Sequence, residues 1–243
     1  AVYFANNFVY PFADEVVAAH TPAMEDIAEH YSVRPEKLHV IHHPLIDPHI
    51  IIAAEPETNH TFIRARSNGY KLLLAVGRLV QEKAFDNLID AVAIVRQNQK
   101  VKLIILGDGE QREFLQKKIA ENKLQKDVDL FGYTERVFSF MKSADLYVLS
   151  SRQEAFGNVL VEAIACGLPC VATDCVSGGP KEIMEQCGIG KYGVLCEREN
   201  VEALASSILL ALDKEYKKAN FKQKATEFEI DYSAEKYLEF AKE

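Results

Sequence analysis

The stretch SSRQEAFGNVLVEAIACGLPCVATD, residues 150–174, places Glu154 just before a Phe156-Gly157-Asn158 turn and Glu162 inside the apolar run that follows. The turn reads as the opening of a helix, whose first backbone N–H groups lack internal partners and sit at the positive end of the helix dipole. Such an end can seat a phosphate. At about 1.5 Å of rise per residue, Glu162 stands roughly 7 Å down the axis, the span from a nucleotide's diphosphate to its ribose hydroxyls. Glu154, ahead of the turn, would face whatever lies beyond the diphosphate. A sugar nucleotide fits that layout, with ribose toward Glu162 and sugar toward Glu154. A solvated helix glutamate and an ordinary loop charge fit it as well, and the spacing alone does not separate the two.

Arg78 and Lys83 in GRLVQEKAFDNLIDA follow one apolar run and precede an amphipathic one. A departing diphosphate needs positive charge as its glycosidic C–O bond breaks, and two such side chains could supply it, each contact contributing about 1.5–3 kcal/mol. An ordinary solvated pair is the alternative. Competing motifs are missing from the sequence: there is no G-x-x-x-x-G-K-[ST], no G-x-S-x-G and no H-E-x-x-H, and GDGE lacks the third glycine of a dinucleotide fingerprint. The five cysteines form no C-x-x-C and have no histidine at metal-ligand spacing, so they read as buried thiols. His42 and His43 beside Pro44 read as a strand end rather than a metal site.

The elements that must position these residues follow from periodicity. From Tyr70 onward, β-rich apolar runs (YKLLLAVG, VKLIILG, DVDLFG, DLYVLSS, PCVATD, YGVLCE) alternate with amphipathic stretches. Strands apolar on both faces, each followed by a helix, predict an α/β fold: a doubly wound parallel Rossmann-like sheet of six βα units. Open sheets of this kind bind ligands at the carboxyl ends of their strands. The loops there are GRLVQEK, GDGEQ, GYTER, SRQEAFGN and CVSGGPKE, each with a glycine. Before this block, EVVAAHT and KLHVIHHP read as two strands around the helix PAMEDIAEHYS, with Thr21 as N-cap and Pro22 in the first turn.

Together, GRLVQEKAFDNLIDA, LIILGDGEQREFLQ, VDLFGYTERV, ADLYVLSSRQEAFGNVLVEAIACGLPCVATD and SGGPKEI resemble the donor-binding half of the retaining, GT-B-fold glycosyltransferases of glycosyltransferase family 4, over about residues 70–213. The resemblance implies that Glu154 contacts the donor sugar and Glu162 holds the ribose, the pair being the family's two glutamates separated by seven residues. Arg78 and Lys83 would bind the diphosphate, with Gly77, Gly107 and the amides of Gly157, Asn158 and Val159 around it. Phe131, Gly132 and Tyr133 would lie beside the base. Arg78, Lys83 and Glu154 are the implied catalytic residues, and no metal or other cofactor is implied. Residues 1–46 would be the end of a truncated acceptor domain, 47–69 a linker, 70–220 the nucleotide-sugar-binding domain, and 221–243 helices packing back on the N-terminal domain. The implied reaction is hexosyl transfer from a nucleoside diphosphate sugar, a UDP-sugar favoured by SGGPKEI, to a glycan or lipid-linked acceptor. The fragment by itself would be weakly active or inactive. A sugar-nucleotide epimerase or hydrolase and a non-catalytic nucleotide-sugar-binding subunit are the rival readings.

Composition narrows the partners. With 243 residues and 48% hydrophobic content the chain can bury one good core and part of a second. A net charge of −8 argues against nucleic acid. Nothing approaches the about eighteen consecutive apolar residues of a membrane span, and no signal pattern opens the chain, which predicts a cytoplasmic protein. The start AVYFANNF has no methionine and reads as processed or cut. Five lysines between Lys214 and Lys224 could touch an anionic membrane from its inner face, or form a solvated helix face.

Overall fold

The computed structural model describes residues 9–58, 60–185 and 188–240. Of the residues discussed above, Cys187 and the first eight lie outside them. Near the N-terminus, β1 (Val16–Ala18) and β2 (Leu38–Val40) pair in parallel around α1 (Thr21–His30). The N-cap of α1 is His20, whose Nδ1 accepts from the Ala23 amide at 3.2 Å, and Thr21 is the first helical residue. The expected Thr21 cap is displaced because Glu182, from a distant element, takes both the Thr21 amide (2.9 Å) and its hydroxyl (3.3 Å). The connecting segment holds two helices, α2 (Pro48–Ala53), capped by the Asp47 carboxylate, and α3 (His60–Ser67).

The main sheet is built from β3 (Lys71–Val76), α4 (Phe85–Val95), β4 (Val101–Leu106), α5 (Arg112–Glu121), β5 (Val128–Gly132), α6 (Val137–Ser143), β6 (Leu146–Leu149), α7 (Asn158–Ala165), β7 (Cys170–Asp174), α8 (Gly179–Met184), β8 (Gly188–Ile189), β9 (Gly193–Glu197) and α9 (Val201–Asp213). Its order is β5-β4-β3-β6-β7-β9-β8. Six strands are parallel, as the alternation predicts. The two-residue β8 pairs antiparallel with β9 at the edge and is too short to show a period.

Alternation along β3 explains the double covering. Leu72 and Leu74 join Phe140, Tyr147, Phe156 and Leu160 on one face, while Leu73 and Ala75 join Leu88, Val92 and Ile105 on the other. Each leucine so buried contributes about 1.5–3 kcal/mol. The chain lays down β3, β4 and β5 outward, then returns to add β6 on the other side of β3. The loops leaving β3 and β6 therefore diverge, and a crevice opens between them.

The tail forms α10 (Lys218–Thr226) and α11 (Ile230–Phe240). It is stitched to the N-terminal segment: the Leu45 and Ile46 amides both donate to the Phe228 carbonyl at 3.0 Å, and Ser233 Oγ donates to the His42 carbonyl at 3.0 Å. The lysine run is not one solvated face. Lys224 is buried against Glu185 (3.1 Å) and Glu227 (2.9 Å), while the exposed Lys214 donates to the Gly190 carbonyl and Lys217, Lys218 and Lys222 are exposed without an ion-pair partner among the described residues.

Tyr147 in β6 is fully buried, and its hydroxyl has no partner among the described residues. Burial pushes this phenol well above its ordinary range, with the charge of Glu154 adding to the effect. An unpaired buried hydroxyl costs about 1–3 kcal/mol. Tyr147→Phe removes it without opening a cavity, so the variant is expected to melt at or above the parent temperature; a drop in Tm measured by circular dichroism would reveal a partner for the hydroxyl.

Candidate active site

Side chains from the loops leaving β3 and β6 reach each other across the crevice. The Lys83 ammonium donates to Glu154 Oε2 at 2.5 Å, across 71 positions of sequence. Ser151 Oγ donates to the same oxygen at 3.2 Å, and the Ser177 hydroxyl, from the loop after β7, donates to the Glu154 carbonyl. One cation and one carboxylate predicted for different parts of a donor are thus in direct contact. An ammonium has three N–H donors, and the pairing with Glu154 uses one.

A clamp sets this contact. Arg152 grips Asp86 of α4 in a two-pronged bond (2.9 and 2.8 Å), and its Nη1 also donates to the Gln81 carbonyl at 2.7 Å. Its backbone amide donates to the Glu82 carbonyl at 2.8 Å, while Ser150 Oγ donates to the Lys83 carbonyl at 2.9 Å. Planar guanidinium geometry suits such a fork. Burial alone raises the Asp86 carboxyl, but the hydrogen bonds and charge of Arg152 outweigh it and hold the group below its ordinary value. The clamp also stabilises a left-handed Ala84 (φ 49°) directly after Lys83, a conformation that costs a non-glycine residue about 1–2 kcal/mol. Arg152 and Asp86 were missed in the sequence because neither lies at a spacing that suggests a pair; the Arg152 position inside SSRQEAFGN was the available signal.

Beside the contact, α7 opens at Gly157 with φ 109°, a value that favours glycine. The Leu160 amide donates to the Gly157 carbonyl at 2.8 Å. The amides of Gly157, Asn158 and Val159 have no acceptor among the described residues, and a helix start with unpaired N–H groups can seat an anion. Further along α7, Glu162 is half-buried and its carboxylate makes no hydrogen bond or ion pair with a described residue. Burial pushes its carboxyl up to about 7.

A cavity of about 320 Å³ lies at the ends of β3, β4 and β5, lined by Val76, Gly77, Arg78, Leu106, Gly107, Asp108, Tyr133, Thr134 and Val137. Arg78 is exposed at its rim, without a side-chain partner among the described residues. Gly107 is required by close approach, since a Cβ there would sit 1.9 Å from the Gly77 carbonyl oxygen. Of the three residues expected beside a base, only Tyr133 lines the cavity. Phe131 packs edge-on to Phe140 at 4.8 Å. Gly132 uses its carbonyl to hold the Gly107 amide at 2.8 Å. Asp108 and Thr134 are liners that the sequence reading did not single out.

Phe156 fastens this turn to the N-terminal segment. Its ring stacks on His20 (5.3 Å, 13°) and on His42 (5.7 Å, 24°), with Phe228 closing a third side at 5.9 Å. His42 Nε2 lies 3.8 Å from Glu182. His20 and His42 thus pack on the Phe156 ring from the N-terminal segment.

Two predictions follow from this geometry. Arg152→Ala strands a largely buried Asp86 carboxylate and is expected to cost about 2–4 kcal/mol in urea unfolding, with Asp86→Ala adding less than its own share in the double variant; strict additivity would dissolve the clamp. Glu162 carries a carboxyl raised above its unfolded value, so the native state binds the extra proton and stability falls as pH rises from about 4.5 through about 7. Glu162→Gln should then raise Tm at pH 8 and leave it nearly unchanged at pH 4; equal shifts at both would show that burial is not the cause.

Residues 57–228 match the family described as glycosyl transferases group 1. Over 222 residues the chain is 28% identical to N-acetylgalactosamine-N,N'-diacetylbacillosaminyl-diphospho-undecaprenol 4-alpha-N-acetylgalactosaminyltransferase of Campylobacter jejuni, which covers 91% of this chain and 57% of that protein. Over 171 residues it is 32% identical to poly(ribitol-phosphate) alpha-N-acetylglucosaminyltransferase of Staphylococcus aureus, covering 70% and 34%. The crystal structure of Anabaena HepE in complex with UDP and glucose superposes with a TM-score of 0.78 at 22% identity, over 98% of this chain and 66% of that one, and shows a shared fold. The chain spans about half the length of the curated relatives it matches. With the two loop cations, both glutamates and the α7 turn all inside the matched residues, the chain belongs to the glycosyl transferases group 1 family.

Proposed function

We propose that this chain is the donor-binding half of a retaining glycosyltransferase that moves a hexosyl unit from a nucleoside diphosphate sugar to a hydroxyl acceptor. The observation that carries this reading is the convergence of Lys83, Glu154 and the open amides of α7 at the β3/β6 crevice, next to the cavity that Arg78 rims. The base would occupy that cavity against Tyr133. The ribose hydroxyls would donate to Glu162, supplying the partners that its carboxylate lacks. The diphosphate would lie on the Gly157–Val159 amides.

In the reaction the bond between the anomeric carbon and the β-phosphate oxygen breaks, and charge develops on that oxygen. Arg78, the free N–H donors of Lys83 and the α7 amides stabilise it. The acceptor oxygen bonds to the anomeric carbon from the same face, and its proton passes to the departing phosphate oxygen. Glu154 orients the sugar and keeps Lys83 in register. Co-crystallised UDP in the HepE structure supports a uridine donor, and a diphospho-undecaprenol acceptor in the name of the Campylobacter relative supports a lipid-linked saccharide. The remaining acceptor contacts belong to the portion of the relatives that this chain does not span.

Isothermal titration of the chain with UDP-, GDP- and ADP-sugars tests the donor. A UDP-sugar is expected to bind most tightly, and Arg78→Ala and Lys83→Ala are each expected to weaken it by about ten-fold or more, following about 1.5–3 kcal/mol per charged contact. In the protein at its full natural length the same variants should lower kcat more than they raise KM. A donor that binds both variants as it binds the parent would remove the assignment.

A further inference from the structure

The first helical residue of α5 is Arg112, a side chain that a helix start disfavours because it sets a cation at the positive end of the dipole. Its guanidinium is engaged instead by the ends of two strands. Nε donates to Asp108 Oδ1 at 2.8 Å, Nη1 to the Leu130 carbonyl at 3.2 Å and Nη2 to the Gly107 carbonyl at 3.4 Å. The bond from Arg112, and after it the one from the Gly109 amide at 2.8 Å, hold the Asp108 carboxyl below its ordinary value. Gly107 and Asp108 line the cavity assigned to the base, as does Tyr133, three residues beyond Leu130. Arg112 itself is not among the lining residues.

The walls of this cavity are fastened in different ways. The loop after β4 is tied to the loop after β3 through the backbone: the Leu79 amide donates to the Asp108 carbonyl at 2.9 Å, and the Gln111 amide to the Leu79 carbonyl at 3.0 Å. Neither bond involves the Arg112 side chain, so the wall that carries Arg78 has its own support. β5, by contrast, is the outermost strand of its sheet, and its end is irregular. Ile105 pairs with Leu130 but Leu106 pairs with Gly132, so Phe131 is an extra residue and the ladder skips a place. After the bulge, the Gly107 amide donates to the Gly132 carbonyl at 2.8 Å. Before it, the Arg112 fork joins the Leu130 carbonyl to Gly107 and Asp108. A guanidinium suits that task, since its N–H donors lie in one plane and point to several acceptors at once.

Given the donor reading, on which this rests, we propose that Arg112 is a positioning residue for donor selection: by fixing the end of β5 to the loop after β4, it sets the shape of the cavity that receives the base. Tyr133 leaves β5 just past the bulge, so its place depends on how firmly that strand end is held. Loss of the fork releases the Tyr133 side, while Arg78, Lys83 and the α7 amides keep their own supports. The effect therefore falls on the choice between bases rather than on the grip of the diphosphate.

The experiment is isothermal titration of the chain and its variants with UDP, GDP and ADP, read as the ratio of dissociation constants between the preferred nucleotide and the other two. Arg112→Gln is expected to narrow that ratio by about five-fold or more, the size of effect a residue without ligand contact can exert through its neighbours. Arg112→Lys keeps a charge for Asp108 but not the planar reach to both carbonyls, and should narrow it as well. Arg96→Gln is the comparison. Arg96 anchors the opposite end of β5, donating to the Lys123 carbonyl at 2.7 Å and to Asp127 at 2.8 Å; its loss should lower Tm and leave the ratio unchanged. Circular dichroism reads the fold of each variant, and if Arg112→Gln does not fold, Arg112→Lys decides. A parent that binds none of the nucleotides would overturn the donor reading and this inference with it. A parent without preference, a ratio that persists in the Arg112 variants, or one that narrows equally in Arg96→Gln would overturn this inference alone.

Discussion

The ion pair between Lys83 and Glu154 depends on a geometric problem being solved elsewhere. The sheet reverses its direction of growth between β3 and β6, so the loops that leave these strands part company and a crevice is left between them. Something must span that crevice from below without filling it. Arg152 does so, because a guanidinium can bond a carboxylate with one edge and a backbone carbonyl with the same plane. A lysine at this position would reach Asp86 but would not fix the orientation of the 78–84 loop. The site thus rests on one planar cation that is itself removed from the reacting groups.

The electrostatics of the crevice are local and nearly balanced. The chain is acidic overall, yet the α7 turn carries amides without an acceptor among the described residues, Lys83 has its charge matched by Glu154, and Arg78 rims the cavity at the ends of β3, β4 and β5. A carboxylate beside an anion seat would repel the anion if it stood alone. Held on the lysine, it instead leaves the seat with a modest positive field. Glu162 is the opposite case: a carboxyl kept from water without a counter-charge, at a cost in stability that the fold tolerates. Sites of this kind are where a structure carries unfavourable groups because a ligand completes them.

Much of this was legible in the sequence. Two-faced apolar runs such as YKLLLAVG gave the strands, and the glycine after each gave the ligand-facing edge. Glu154, Glu162, Arg78 and Lys83 were marked by their place on that edge. What was not legible depended on side-chain direction and on tertiary partners. Phe131 was expected beside the base with Gly132 and Tyr133 through the resemblance, and its edge-on contact with Phe140 is a tertiary packing that the sequence does not show. Thr21 has the residue type of an N-cap and loses that role to His20 because Glu182 offers it a better acceptor. Ala84 adopts a left-handed backbone without the glycine that would signal it. The direct bond from Lys83 to Glu154 could not be anticipated from positions 71 residues apart.

Phe156 belongs to the turn that opens α7, and it is also the filling of a seam between the small sheet and the large one, wedged among two imidazoles and a phenyl ring. Tilting one sheet against the other must either withdraw that wedge or drag the turn along with it. The aperture at the top of the strands and the angle between the two lobes are therefore mechanically coupled, with Phe156 geared beside the bonds of Thr21 to Glu182.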